Sequence, residues 1–247
     1  LLLLGANTYS GGTIIGSTGT LMLTNDAALG SSTAGLTFSA SGVLASTNNG
    51  QLPPNSTTTI SSARTITVNS GVTANFHTPD TNHLTVASYI TGAGGVTRKG
   101  SSFANGTVRF SNDANDYTGE FGVGNGHTEF TSVANQGTAS ALGKGTTGII
   151  TINNTLSSGF LTYVGSATSS SSRSLSWING GSYALENNGS GTIAWLSTSA
   201  LRSTYTGTAT LNLQGSNTGD NTLAQVINDT TGVTSVTKTS GGKWILT

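Results

Sequence analysis

Two stretches of the chain decide its fold. Residues Leu3–Gly11 read LLGANTYSG, and residues Arg109–Gly119 read RFSNDANDYTG. The second stretch matches the first with two extra residues, and both contain Asn-x-Tyr-x-Gly behind an apolar position. A pattern that returns within one chain indicates a repeat architecture, in which each copy is a structural unit that stacks on its neighbours.

The sequence around these two stretches repeats as well. Upstream, Gly95–Gly100 matches Ser235–Ser240, and Gly106–Ser111 matches Gly242–Thr247. Downstream, an apolar strand-like segment precedes Ala-Leu-Gly in both copies: these segments are Gly19–Leu23 before Ala28–Gly30, and Thr128–Thr131 before Ala141–Gly143. The repeat therefore extends well beyond the Asn-x-Tyr-x-Gly motif.

Composition and local patterning favour β-structure throughout. Thr, Ser, Asn and Gly make up roughly 55% of the 247 residues, and all four are poor helix formers. Short segments with period-two alternation, such as Ala63–Val68 and Ala209–Gln214, are bounded by Gly, Asn or Ser. Disordered chains combine few β-branched residues with many charges or prolines, whereas here only 7% of residues are charged and three are Pro.

Together, these motifs resemble the autotransporter-associated β-strand repeat, also called the passenger-associated transport repeat, of bacterial surface and secreted proteins. Arg64–Val68 and Ser235–Thr247 are the most typical segments. The resemblance implies a right-handed parallel β-helix and export from the cell. It carries no implication about a particular activity.

We therefore predict an all-β fold, a right-handed parallel β-helix, with a β-sandwich or jelly roll as the alternative. Residues 1–247 form one elongated domain in this prediction, cut within a repeat at both ends. At the roughly 20 residues per turn that the resemblance implies, the chain makes about twelve turns and a rod about 55–60 Å long.

Charge and hydropathy exclude several classes of partner. Nine basic and nine acidic residues give a net charge of zero, so the chain lacks the basic footprint of a nucleic-acid-binding protein. No apolar run approaches the ~20 residues of a membrane-spanning helix, so we predict no membrane insertion. Without Cys, a disulfide framework is excluded.

The two chain ends look like complementary halves of one repeat. Lys243–Thr247 reads naturally into Gly5–Tyr9, and neither end carries the polar cap that solenoids need. This pattern predicts either a head-to-tail filament of subunits or a fragment of one longer β-helix. The predicted joint consists of Leu1, Leu2, Leu3, Leu4, Trp244, Ile245, Leu246 and Thr247.

Candidate chemistry is sparse. His77, Asp80 and His83 could converge on a metal at the Pro79 turn, but their spacing matches no strong zinc signature, and a solvated loop is the simpler interpretation. The acidic cluster Asp113, Asp116 and Glu120 lies inside the repeat motif and is interpreted as a turn, with calcium binding as the alternative. We predict no catalytic residues and no cofactor.

Aromatic residues offer a second route to binding. Six of them could stack on sugars, although packing inside the β-helix is the preferred interpretation: Tyr163, Trp177, Tyr183, Trp195, Tyr205 and Trp244. The predicted function is structural and not enzymatic: a stiff stalk, or a subunit of a filament, outside the cell or on the bacterial surface. The alternative is an adhesin or glycan-binding passenger segment that contacts glycans or a host surface.

Overall fold

The computed structural model describes residues 1–46, 53–79, 81–100, 106–152, 158–201 and 207–247. Every pair of strands in these ranges is parallel, and the chain winds through the same sheets turn after turn. This arrangement is a parallel β-solenoid, as predicted. The β-sandwich alternative, which requires antiparallel pairs, is wrong.

Two sheets of eight strands form two sides of the solenoid. In chain order, sheet A contains β1 (Leu2–Leu3), β3 (Thr20–Leu23), β5 (Val43–Ser46), β8 (Thr73–His77), β11 (Gly95–Arg98), β13 (Phe121–Val123), β15 (Ile149–Ile152) and β18 (Ser174–Trp177). Sheet C contains β6 (Thr57–Ile60), β9 (His83–Val86), β12 (Thr107–Phe110), β14 (Gly126–Phe130), β16 (Ser158–Tyr163), β19 (Gly181–Asn187), β21 (Ala209–Gly215) and β23 (Thr234–Lys238).

Two four-stranded sheets form the third side of the solenoid. Along the chain, each of their strands comes after the sheet C position of its turn. Sheet B contains β2 (Thr13–Ile15), β4 (Leu36–Phe38), β7 (Thr65–Val68) and β10 (Tyr89–Gly92). Sheet D contains β17 (Ser169–Ser171), β20 (Ile193–Trp195), β22 (Asn221–Leu223) and β24 (Trp244–Leu246). One short 3₁₀ helix, Asp26–Leu29, replaces a strand before β4, and no helix in the described ranges is long and apolar enough to cross a membrane.

The turns are longer than predicted. Sheet A begins at residue 2 and its eighth strand begins at residue 174, so a turn averages about 25 residues. Sheets A and C are offset by two turns along the chain, so the solenoid makes about ten turns, and ~4.8 Å spacing gives a length of about 45 Å, shorter than the predicted rod. The difference lies in the corners: residues 131–148 alone separate β14 from β15.

The interior is filled by one side of each strand. Period-two alternation places apolar residues inward, and Phe38, Phe76, Phe110 and Phe121 form a continuous aromatic column. Their ring centroids lie 5.2–5.8 Å apart, with the last two contacts close to edge-to-face. Such contacts connect the different sheets across the interior as well as burying apolar surface.

The sequence repeat corresponds to one three-turn packing unit. In the first copy the Asn7 amide donates to the Ala28 carbonyl over 2.8 Å, Gly30 packs against Tyr9, and the Arg64 guanidinium donates to the Leu29 carbonyl. Gly30 has a φ of 76°. Asn-x-Tyr, Ala-Leu-Gly and Arg thus lie on three successive turns.

The second copy repeats this unit on the next side of the solenoid. Asn115 donates to the Ala141 carbonyl over 3.1 Å, Gly143 packs against Tyr117, and Arg173 donates to the Leu142 carbonyl over 3.0 Å. Asn7 follows a sheet A strand, whereas Asn115 follows a sheet C strand. The copies lie on adjacent sides because the repeat length is not a whole number of turns.

Candidate functional site

The outer face of sheet C collects charged side chains from successive turns. Strand register sets Arg109 opposite Glu129, Glu129 opposite Thr162, and Thr162 opposite Glu186. The strands are ~4.8 Å apart, so these side chains form one row along the solenoid. In a chain with so few charges, this row is the main concentration of polar chemistry on sheet C.

The two glutamates of the row have different environments. Burial raises the pKa of the Glu129 carboxyl, and the charges of Arg109 and His83 only partly oppose this effect. Glu186 lies one strand beyond Thr162 and accepts a hydrogen bond of 2.8 Å from the Thr162 hydroxyl. Protonation of Glu129 is therefore favoured relative to an ordinary glutamate.

A second row on the same face carries aromatic rings. His127 and Phe160 lie opposite each other on β14 and β16, with ring centroids 4.0 Å apart and planes within 11°. Burial lowers the pKa of His127, with Glu186 opposing the shift. The neutral imidazole is favoured, which suits a ring stacked on an apolar neighbour.

A polar pocket of about 400 Å³ adjoins the charged row, where β12, β14 and β16 end. Seven of its lining residues carry hydroxyl groups: Ser111, Thr131, Ser132, Tyr163, Ser166, Thr168 and Ser169. Asp113 also lines it and accepts hydrogen bonds from the hydroxyls of Thr131 (2.6 Å) and Ser132 (2.7 Å). These two bonds fix the carboxylate in place.

Arg109 joins the charged row to this pocket. Its side chain is half-buried and lines the pocket, and within the described residues it forms no hydrogen bond or ion pair. Its Nε atom is buried and has no acceptor. Arg98 and Arg173 also have a buried Nε without an acceptor, but their terminal nitrogens donate to carbonyls. Among the described residues, Arg109 has no such bond through any of its nitrogens.

A wider groove of about 630 Å³ lies on the outer face of sheet A. Gly95 and Gly122 line it and expose the sheet backbone there. Of its charged residues, Glu120 accepts a hydrogen bond from the Thr147 hydroxyl, Lys99 is exposed, and Arg98 is fully buried and donates to backbone carbonyls. The buried guanidinium of this groove is therefore held by the backbone, unlike that of Arg109.

Sequence reasoning missed the charged row. Glu129 and Glu186 look isolated along the chain, and only the strand register brings them to one face. The repeat motif predicted the turns but not their lengths, so no signal in the sequence could align these positions. Asp113, in contrast, lies in the turn predicted from the motif, where the Asn112 carbonyl accepts from the Asn115 amide.

The predicted metal ligands are placed on different sheets. His77 is the last residue of β8 in sheet A, and its Nδ1 contacts the Lys99 carbonyl at 3.0 Å. His83 is the first residue of β9 in sheet C, and Asp80 lies outside the described residues. No group of three metal-ligating side chains occurs in the described ranges, so the metal site stays a prediction.

The predicted joint residues lie at opposite ends of the solenoid. Leu2–Leu3 is the first strand of sheet A and pairs only with β3 among the described strands. Trp244–Leu246 is the last strand of sheet D and pairs with β22. Leu1, Leu4 and Leu246 are exposed, and Thr247 donates to the Leu223 carbonyl.

Most of the candidate sugar-stacking aromatics are interior, as the preferred interpretation predicted. Trp177, Trp195, Tyr163 and Tyr183 are buried, and Trp177 stacks on Tyr183 with centroids 4.4 Å apart. Trp244 is partly buried, and its indole donates to the Gln214 carbonyl. Tyr205 lies outside the described residues.

Comparison with known proteins adds one relationship. The chain is 31% identical over 249 residues to the adhesin BmaC autotransporter of Brucella suis biovar 1, an alignment that covers 99% of this chain and 7% of that protein. No family model and no solved structure matches the chain. The predicted resemblance is confirmed. The chain is homologous to one segment of an autotransporter adhesin, and its β-solenoid is consistent with autotransporter passenger repeat proteins.

Proposed function

We propose that the chain is a stiff stalk segment of a bacterial surface adhesin, exported from the cell, with a structural and not an enzymatic role. The two eight-stranded parallel ladders carry this proposal. Each turn buries its apolar side against the next, so bending would break backbone ladders on several sides at once. The relationship to a segment of an autotransporter adhesin supports the cell-surface location.

Open strand edges at both ends support a further prediction, end-to-end stacking. Ile14 at the first end is 71% exposed, and Val236 at the other end is 45% exposed. Exposed apolar edge strands pair readily with further strands. The edges are completed either by further turns of a longer chain or by a second copy of this one, and a heterologous contact between copies would give an open filament.

Electron microscopy of the purified chain over a concentration series tests both statements. We expect stiff rods, and rods that lengthen by whole-chain increments if copies stack. Ile14→Lys and Val236→Lys place charges on the two edges and should abolish lengthening, whereas Leu196→Lys, beside the internal strand β20, should not. Flexible, collapsed particles would overturn the stalk proposal, and single rods at every concentration would overturn the stacking of copies.

A further inference from the structure

The Arg109 guanidinium differs from the other arginines that the structure describes. Arg64, Arg98 and Arg173 are fully buried, and each donates to backbone carbonyls of its own or a neighbouring turn. Their function is to hold the solenoid together. Arg109 is half-buried, and within the described residues it donates no hydrogen bond from any nitrogen, whereas Arg98 and Arg173 lack an acceptor only at Nε.

The surroundings of Arg109 restrict which kind of ligand could bind its guanidinium. The pocket is lined by hydroxyl groups and by the Asp113 carboxylate, with Val164 and Ala167 as its main apolar side chains. Asp113 accepts both of its hydrogen bonds on Oδ1, which leaves Oδ2 available. A ligand rich in hydroxyl groups matches such a lining, because each hydroxyl both donates and accepts.

The guanidinium of Arg109 adds a preference for negative charge, because Glu129, opposite it on β14, forms no ion pair with it among the described residues. Arg binds a carboxylate through two parallel N–H···O bonds, which are stronger than neutral hydrogen bonds. The volume of about 400 Å³ lies near the lower end of the range for small-ligand pockets, which suits one or two sugar rings. We propose that this pocket binds a saccharide that carries a carboxylate, with the carboxylate on Arg109 and ring hydroxyls on Asp113. The hydroxyls of Ser111 and Ser166, which form no side-chain hydrogen bond among the described residues, complete the site.

The pocket is rigid before any ligand arrives. Its walls are the ends of three adjacent strands, and Ser132, which orients Asp113, also accepts the Ala141 amide at 2.9 Å. Pre-organisation of this kind lowers the entropy cost of binding. The inference goes beyond the stalk role and does not depend on it, since a rod can be stiff whether or not its side binds a sugar.

Titration of the full chain, followed by NMR or calorimetry, tests the proposal with three probes. Glucuronate has both the ring and the carboxylate, glucose has only the ring, and acetate has only the carboxylate. We expect saturable binding of glucuronate with a Kd on the order of 1 mM, and at least about tenfold weaker binding of the other two. Acetate binding as tightly as glucuronate would reduce the site to a simple anion site and overturn the proposal, as would equal binding of glucose.

Variants assign the binding to the pocket. Arg109→Met should weaken glucuronate binding about tenfold or more, and Arg109→Lys should weaken it less, because the charge remains without the paired donors. Lys99→Met removes one positive charge on sheet A and should leave the affinity unchanged. Equal loss in Lys99→Met and Arg109→Met, or binding that Arg109→Met leaves intact, would overturn the assignment. Unchanged circular dichroism shows that each variant is folded, and rod shape in microscopy reports separately on the stalk.

Discussion

Arg64 gives the sharpest test of what holds the solenoid together. Its side chain is fully buried, and its Nε and one NH₂ donate to the two carboxylate oxygens of Asp26 over 3.0 and 3.1 Å. The same guanidinium donates to the carbonyls of Leu29, Gly30 and Ala34. Arg64 therefore ties its own turn to the 3₁₀ helix of the turn below.

Arg64→Met keeps most of the side-chain volume and removes every one of these donors. Asp26, only 17% exposed at its side chain, loses its ion pair and keeps the Ser61 backbone amide as a donor, and the carbonyls lose their partner. Breaking a buried ion pair from one side costs about 3–5 kcal/mol. We expect a loss in the free energy of unfolding of this size, and a smaller loss in Arg64→Met/Asp26→Asn than the sum of the single changes.

The matched control is Arg109→Met, the same substitution at a half-buried arginine that forms no hydrogen bond with the residues that the structure describes. We expect it to change the free energy of unfolding by less than about 0.5 kcal/mol. Urea denaturation followed by far-UV circular dichroism measures both variants, and hydrogen exchange at β6 and β7 locates the loss. If Arg64→Met costs no more than Arg109→Met, the carbonyl-binding arginine is not a structural element of the repeat.

Three further results are expected. Gly143→Ala should destabilise by about 1–3 kcal/mol, because its Cβ would lie 2.4 Å from the Tyr117 ring; Gly137→Ala, also at positive φ but with open space around it, should cost less in the same urea titration. Burial raises the pKa of Glu129, so the protonated carboxyl stabilises the fold fully below its ordinary pKa of 4.5, and this contribution is lost as the pH rises through the raised pKa. Glu129→Gln should therefore stabilise the protein at pH 7 but not at pH 3.5, as measured by thermal melts. Phe76→Ala should cost about 3–5 kcal/mol, because it opens a cavity in the aromatic column, and a loss under 1 kcal/mol would contradict that packing.

The repeat made the architecture predictable. Asn-x-Tyr-x-Gly and Ala-Leu-Gly could be aligned between copies from the sequence, and in the structure they contact each other in both copies. Alternation over segments such as Thr65–Val68 also identified the inward residues, since Ile66 and Val68 are fully buried. These features depend on local patterns, which a single sequence displays directly.

Features set by corner length could not be predicted. A parallel ladder fixes which residues become neighbours only after the length of every turn is known, and these lengths vary. Glu129 and Glu186 therefore looked isolated. The buried arginines were missed for a different reason: Arg64 and Arg173 look like solvated charges until the carbonyls beneath them are seen.

The placement of the few charges separates structure from binding. A stacked fold disfavours charges, because residues at the same register face like residues in the next turn. The arginines that the fold does bury are paired with carbonyls or with Asp26, where their desolvation is offset. Arg109 is half-buried and, among the described residues, has only the Glu129 carboxyl opposite it, without an ion pair, and it lies beside a hydroxyl-lined pocket on the side of the rod. Several pocket hydroxyls, such as Ser132 and Ser169, also bond the backbone and so belong to the stalk. Arg109 has no such structural bond, and a ligand that meets the side of the solenoid would supply its missing acceptors.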